Sequence, residues 1–234
     1  MMRVAALSDR GVKRGENEDA YFYDEEDKIF IVADGIGGLS DGAFASEFVV
    51  DALRKLIVHN LSGNLDEAKS GLINALKEVN SNLHDLKGGE SGATCMVLFI
   101  KGSKALFAHA GDSKLYLVRG GDLTQLNSEH SLVWSLWREG LLPKDELSTH
   151  PLRNVVERAL GLKEALEPES GEAVLTTGDT LLLATDGVAA DLSQSDILSI
   201  VNSAGEPMER LETLAALSRK SGGSDNFTGI LIDI

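Results

Sequence analysis

Five aspartates occupy similar local settings in this 234-residue chain, each at the edge of an apolar run and beside glycine or another small residue. Asp34 ends Ile29-Phe30-Ile31-Val32-Ala33 and opens Gly35-Ile36-Gly37-Gly38, while Asp186 follows Leu181-Leu182-Leu183-Ala184-Thr185 and precedes Gly187. Asp112 comes after Ala105 to Gly111, Asp225 sits in Gly222-Gly223-Ser224-Asp225-Asn226 just before the run Phe227 to Ile234, and Asp19 closes Asn17-Glu18-Asp19 before Tyr21-Phe22-Tyr23. Any one of these reads as a hairpin turn, because Asp-Gly favours the positive dihedrals of tight turns. That reading weakens for Asp34 and Asp186, each followed by helix signals rather than by a second strand. Carboxylates gathered at one point raise one another's pKa and cannot all ionise without cations. All-oxygen ligands suit hard ions, Mg²⁺, Mn²⁺ or Ca²⁺. The residues point to a binuclear hard-metal site.

Such a site needs strands that end together. Ile29 to Ala33 mixes β-branched and aromatic residues and reads as a short strand buried on both faces. A helix follows, with Phe44, Ala45, Phe48, Val49, Ala52, Leu53, Leu56 and Ile57 at three- and four-residue spacing up to about His59. A second helix from about Asp66 carries Leu72, Leu76, Val79, Leu83 and Leu86 on one stripe, so the two should pack antiparallel on a sheet. Val4 to Leu7 and Ala20 to Tyr23 read as strands, and Thr94 to Ile100, Ala105 to Ala110 and Leu115 to Val118 as an antiparallel meander. Residues 128–161 hold Trp134 and Trp137 at helical spacing and admit two readings, a mobile flap or a helix pair with buried tryptophans. Strands resume at Ala173 to Leu175 and Thr180 to Ala184, followed by helices over about Gln194 to Asn202 and Glu206 to Lys220 and by a last strand. Strands in blocks separated by helix pairs predict α+β: a four-layer α/β/β/α sandwich with two central, mostly antiparallel sheets flanked by helix pairs. No linker or repeat divides residues 1–234, so one domain is expected.

Composition narrows the function. With 43% hydrophobic and 25% charged residues the chain is an ordinary globular one. Its formal net charge of −15 argues against nucleic acid or an anionic membrane as partner. No apolar run approaches a membrane span, and Met1-Met2-Arg3-Val4 shows no secretory pattern. The single cysteine, Cys95, excludes an internal disulfide, fits a reducing cytoplasm and lies in an apolar run as a buried small hydrophobe.

Arg14 lies five residues before Asp19 in the polar loop that also carries Asn17. A guanidinium beside an acidic metal cluster suggests an anionic substrate, because its fork matches phosphate oxygens. Two bridged ions lower the pKa of a bound water to give an attacking hydroxide and offset charge on phosphoryl oxygens. No protein nucleophile is then required, in keeping with a single cysteine, Cys95, that has no neighbour in sequence to activate it.

At this point the sequence resembles the metal-dependent Ser/Thr protein phosphatases, the PPM or type 2C class, in their compact bacterial form. The segments that carry the resemblance run in family order. They are Gly11-x-x-Arg14-x-x-Asn17-Glu18-Asp19, Ala33-Asp34-Gly35-Ile36-Gly37-Gly38 with Ala45-Ser46, Ser91-Gly92-Ala93-Thr94 and His109-Ala110-Gly111-Asp112-Ser113. After them come His130-Ser131-Leu132-Val133, His150-Pro151-x-x-Asn154, Arg158-Ala159-Leu160-Gly161, Asp186-Gly187 and Gly223-x-Asp225-Asn226-x-Thr228. Each is short, but together they cover nearly the whole chain. The resemblance implies that Asp34 bridges two Mn²⁺ or Mg²⁺ ions with the Gly35 carbonyl as a further ligand. Asp186 and Asp225 would ligate the first ion, Asp19 and Glu18 would act through metal-bound waters, and Asp112 with Asp186 would hold a third, weaker ion. It also implies that Arg14 clamps the phosphate, and that residues 131–160 form a flap beside the site. The expected activity is hydrolysis of phosphoserine and phosphothreonine in proteins, reversing a partner Ser/Thr kinase.

Departures from the family pattern are Lys114 in place of arginine after Gly-Asp-Ser, Glu129 before His130 where aspartate is frequent, Ala43 after Gly42, and Val188-Ala189-Ala190 after Asp186-Gly187. None removes a proposed ligand. His109 reads as a packed core residue, whereas His130 and His150, near flap turns, are candidate general acids. A dinucleotide-binding turn at Gly35-x-Gly37 is rejected, because Ser40 replaces its third glycine and Asp34 would face the pyrophosphate. Two alternatives remain: a phosphatase-fold module that binds phosphoproteins with little turnover, and a phosphatase dedicated to one regulator such as an anti-anti-sigma factor.

Overall fold

The computed structural model describes residues 2–36, 41–61, 63–147 and 149–234. Gly37, Gly38 and Ser40 of the glycine-rich turn lie outside them. Among the described residues there are ten strands, most of them apolar runs, and all their pairings are antiparallel. They are β1 (Arg3–Asp9), β2 (Asp19–Asp24), β3 (Ile29–Gly35), β4 (Ala93–Lys101), β5 (Lys104–Ala110), β6 (Lys114–Arg119), β7 (Asp122–Gln125), β8 (Glu169–Val174), β9 (Thr180–Ala184) and β10 (Phe227–Asp233). One five-stranded sheet has the order β1-β10-β9-β6-β7 and the other β2-β3-β4-β5-β8. The helices are α1 (Gly42–Asn60), α2 (Leu65–Lys87), α3 (Leu132–Arg138), α4 (Asp186–Ala190), α5 (Gln194–Val201) and α6 (Pro207–Ser221).

Alternation along each strand explains why the central runs are apolar on every residue. In β3 and β4, Ile29, Ile31, Ala33, Cys95 and Val97 face α1 and α2, where they meet Val49, Leu53, Leu72, Leu76 and Val79. The intervening Phe30, Val32, Met96 and Leu98 face the other sheet and meet Leu115, Leu181, Leu183, Ile230 and Ile232. On the far side of that sheet Tyr116, Leu182, Leu231 and Phe227 pack on Ile197, Val201, Leu211 and Leu214 of α5 and α6. Three apolar layers between four structural ones make the expected α+β sandwich. Cys95 is wholly buried, which pushes its thiol up and leaves it inert.

The structure corrects three expectations. The meander does not continue from β5 to β6: β5 pairs with β4 and β8, while β6 pairs with β7 and β9 in the other sheet. Gly111-Asp112-Ser113 is thus a crossover between sheets, a distinction that strand periodicity cannot carry. Leu86 is 58% exposed rather than part of the buried stripe. In that last turn of α2 it is Lys87 that meets α1, pairing with Asp41 at 2.8 Å and lying over the Phe44 ring. Of the two readings of residues 128–161, the helix pair does not form, because the described part holds only α3 and one 3₁₀ turn at Lys144–Glu146. Trp134 and Trp137 are half-buried there, edge to face at 5.0 Å. No helix among the described residues is long and apolar enough to cross a membrane.

Candidate active site

The five aspartates sit at strand ends and crossovers of both sheets. Asp34, the next-to-last residue of β3, lies directly opposite Asp19, the first residue of β2. Like charges facing each other across strands destabilise a sheet, so this pairing serves something other than folding. Asp186 starts α4 at the end of β9, Asp225 lies in the turn before β10, and Asp112 lies in the crossover between sheets. Glycine lets two of these backbones touch. A Cβ on Gly187 would overlap the Asn226 carbonyl oxygen, and one on Gly35 would overlap the Gly42 carbonyl.

The electrostatics show that the acids share one site. Burial first, then Asp19, Asp186, Asp112 and Asp225, raise the Asp34 carboxyl well above its ordinary range. Burial also pushes Asp19 and Asp112 up to about 7, with Asp186 adding to both. Asp186 is raised by burial and by Asp225, against the opposing influence of the Lys114 ammonium. Thr185 Oγ1 donates to Asp19 Oδ2 at 2.8 Å. Asp19 Oδ1 and Asp186 Oδ1, however, are buried with no hydrogen-bond partner among the described residues. A buried carboxylate oxygen without a donor is costly, and a hard divalent cation is the partner that suits several at once. The donor set fits the ions that the sequence suggested.

These shifts set how the metal-free protein responds to pH. The folded state holds protons on Asp19 and Asp112 up to about 7, where the unfolded chain has already released them. Stability from these groups is therefore full at acid pH and is lost as pH rises through the folded values. His109, lowered by burial to about 4, and His130, also lowered by burial, act in the opposite sense, but only below the ordinary histidine value. Between roughly pH 6.5 and 8 the aspartates act alone. In EDTA the melting temperature should fall across that window, and Mn²⁺ should raise it most at the alkaline end. Differential scanning calorimetry would check this.

Arg14 stands over the cluster, its Nη2 donating to Asp225 Oδ2 at 2.7 Å. That hydrogen bond leads the causes that raise its pKa, so the guanidinium stays charged, with further N–H groups left for an anion. Glu18 sits beside α1, its Oε1 2.5 Å from where a Cβ on Gly42 would lie. Among the histidines, His109 is packed in β5 as expected. Both ring nitrogens of His130 are engaged, with the Gly111 amide and with Glu169, which leaves none for a leaving group. His150 Nδ1 accepts from the Leu152 amide at 3.1 Å.

Several residues that sequence reasoning left without a role prove to hold the site. The Asn226 side chain donates to the carbonyls of Arg10 at 2.8 Å and Glu16 at 2.9 Å, and accepts from the Glu18 amide at 2.9 Å. It thereby pins the whole Arg14 loop to the Asp225 turn. Asp191, just after α4, accepts from the Ser224 amide at 2.7 Å and from its hydroxyl, steadying the same turn. Two of the departures also explain each other. The Lys114 ammonium, in place of arginine, lies 3.4 Å from Glu129, in place of aspartate, with both side chains largely buried. A cation of different shape is matched by an acid one methylene longer. The Lys114 ammonium also donates to the Asp112 carbonyl at 3.2 Å, so the pair still supports the crossover.

Comparison with known proteins adds the family. A family profile described as Protein phosphatase 2C matches residues 12–220. Protein phosphatase PhpP of Streptococcus pneumoniae is 35% identical over 240 residues, covering 100% of this chain and 98% of that protein. Serine/threonine phosphatase Stp1 from Staphylococcus aureus is 28% identical with a TM-score of 0.94, covering 100% of this chain and 95% of that one. The catalytic domain of serine threonine protein phosphatase PstP, solved in complex with two manganese ions, is 31% identical with a TM-score of 0.87, covering 99% and 97% of the two chains.

Proposed function

From the premise that this chain belongs to the protein phosphatase 2C family, we propose that it hydrolyses phosphoserine and phosphothreonine in proteins with two divalent ions, Mn²⁺ or Mg²⁺, at the aspartate cluster. The enzyme class, a protein-serine/threonine phosphatase, follows from the family and its relatives. The observation that carries the metal reading is the convergence of five aspartates, Asp112 buried and the others half-buried, two of which have buried oxygens without a hydrogen-bond partner among the described residues.

Bound there, two divalent ions supply Lewis acidity that lowers the pKa of an attacking water and offsets charge on the phosphoryl oxygens. The chain's own residues do the rest. Asp34, opposite Asp19, would be held in common by both ions, with Asp186 and Asp225 holding one of them and the Gly35 carbonyl adding a ligand. Asp19, oriented by Thr185, and Glu18 at the rim would take water-mediated contacts. Asp112 with Asp186, near Lys114, would hold a third, weaker ion. Arg14 would receive the phosphate through the N–H groups that Asp225 does not use. A Ser/Thr kinase that makes the phosphoprotein is the expected partner, in a cytoplasmic signalling setting.

The direct test is hydrolysis of a phosphothreonine peptide with Mn²⁺ and with EDTA. We expect turnover that appears with the metal and vanishes with the chelator. Tight Mn²⁺ binding without turnover of any phosphopeptide would replace this reading with that of a phosphoprotein-binding module.

A further inference from the structure

Two buried histidines and a half-buried glutamate form a group of titratable side chains outside the acid cluster. His109 on β5 and Glu169 on β8 are cross-strand partners. The His130 ring stacks on His109 with centroids 4.5 Å apart and planes 15° from parallel. His130 Nε2 is 3.3 Å from Glu169 Oε2 and 3.5 Å from Arg158 Nη1. The ligand atoms of His109, His130 and Glu169 lie within 4.8 Å of one another, close enough for a metal ion to be considered there.

The remaining contact argues against a metal. The Gly111 amide donates to His130 Nδ1 at 3.2 Å, so Nδ1 carries the lone pair and the ring proton sits on Nε2, facing Glu169. A metal on Nε2 would leave both ring nitrogens without a proton. Stacked rings also keep their lone pairs in two separate, near-parallel planes, which do not converge on one ion. The ring is neutral, held so by burial and by the Arg158 guanidinium, and is therefore a hydrogen-bond acceptor for backbone.

What it accepts from is the residue before Asp112. His130 holds Gly111 on both sides, because its own amide also donates to the Gly111 carbonyl at 3.0 Å. On its other flank the His130 carbonyl accepts the Glu157 amide at 2.7 Å, and the next residue, Ser131, bridges Val156. These last contacts close the base of the segment 131–160. We infer that His130 is a positioning residue that ties the base of that segment to the backbone carrying Asp112, so that seating the segment steadies the acid cluster. Glu169 orients the ring by taking the Nε2 proton, and His109 supports it by stacking.

Hydrogen–deuterium exchange on the full chain tests the tie, and only the kinetic arm below rests on the phosphatase reading. Glu157→Pro removes the amide that seats the base of the segment, and with it a carboxylate that accepts from Ser135 and bears on His130, but no direct contact with Gly111. Glu157→Gln therefore serves as the control that keeps the amide and loses only the charge. Glu157→Pro should speed exchange at the Gly111 amide by roughly tenfold, the effect of about one backbone hydrogen bond. His130→Leu should do the same, and adding Glu157→Pro to it should give no further increase. His130→Asn, whose side-chain oxygen can accept the Gly111 amide, should restore most of the protection. In the active enzyme, Glu157→Pro should raise the Mn²⁺ concentration needed for half-maximal rate while leaving the phosphopeptide KM in place. Should Glu157→Pro speed exchange only within residues 131–157, the tie does not exist. If His130→Asn exchanges like His130→Leu, the ring is mere packing and the inference fails. A wild-type chain without turnover would overturn the phosphatase reading, and the exchange results would still decide the tie.

Discussion

Asp34→Asn should abolish metal-dependent hydrolysis, by on the order of 10³-fold in kcat, and should at the same time raise the melting temperature measured in EDTA. Both effects follow from where Asp34 sits. It is the next-to-last residue of β3, opposite Asp19, and is raised by burial and by four other aspartates. Asparagine has nearly the same shape but cannot bridge two cations as an anion. Without metal, the same change removes the charge that the cluster tolerates least, so the folded state gains above neutral pH. The opposite signs separate loss of the site from loss of the fold. Steady-state kinetics with Mn²⁺ and calorimetry in EDTA would read the two effects on one preparation. Substantial Mn²⁺-dependent activity in the variant would remove Asp34 from the bridging role, and a lowered melting temperature in EDTA would mean that its carboxyl serves the fold.

Arg14→Ala should cost about 10²-fold in kcat/KM for a phosphopeptide, and Arg14→Lys should recover only part of it. Lysine keeps the charge but loses the planar fork that can pair with Asp225 and a phosphate together. The 2.7 Å contact with Asp225 means that this change also touches a proposed metal ligand. A Mn²⁺ titration of each variant distinguishes the two roles. If Arg14 clamps phosphate, the loss persists at saturating Mn²⁺. If excess Mn²⁺ restores the rate, Arg14 acts by steadying Asp225 and the clamp is elsewhere.

Much of this molecule is readable from local sequence. Runs such as Ile29 to Ala33 and Leu181 to Ala184 are apolar at every position because each strand lies between two layers, and that alone signals a sandwich with central sheets. The aspartates could be singled out because each borders such a run, and a carboxylate beside glycine or another small residue at the edge of a buried strand has little use in packing. Other features were out of reach for definite reasons. Which sheet takes β6 depends on its partners β7 and β9, and β9 lies more than sixty residues further on. Leu86 obeys the helical period, yet whether its side chain is covered depends on what lies beside the last turn of α2. Asn226 reads as a turn residue until the fold brings Arg10, Glu16 and Glu18 around its amide from more than two hundred residues away. Lys114 and Glu129 look like two separate departures until their side chains are seen to pair. The sequence by itself determined the layers and the acids, because burial and charge act on each residue where it stands. The tertiary structure alone decided which acids share a field and which side chains hold them in place, because those interactions exist only between segments that folding brings into contact.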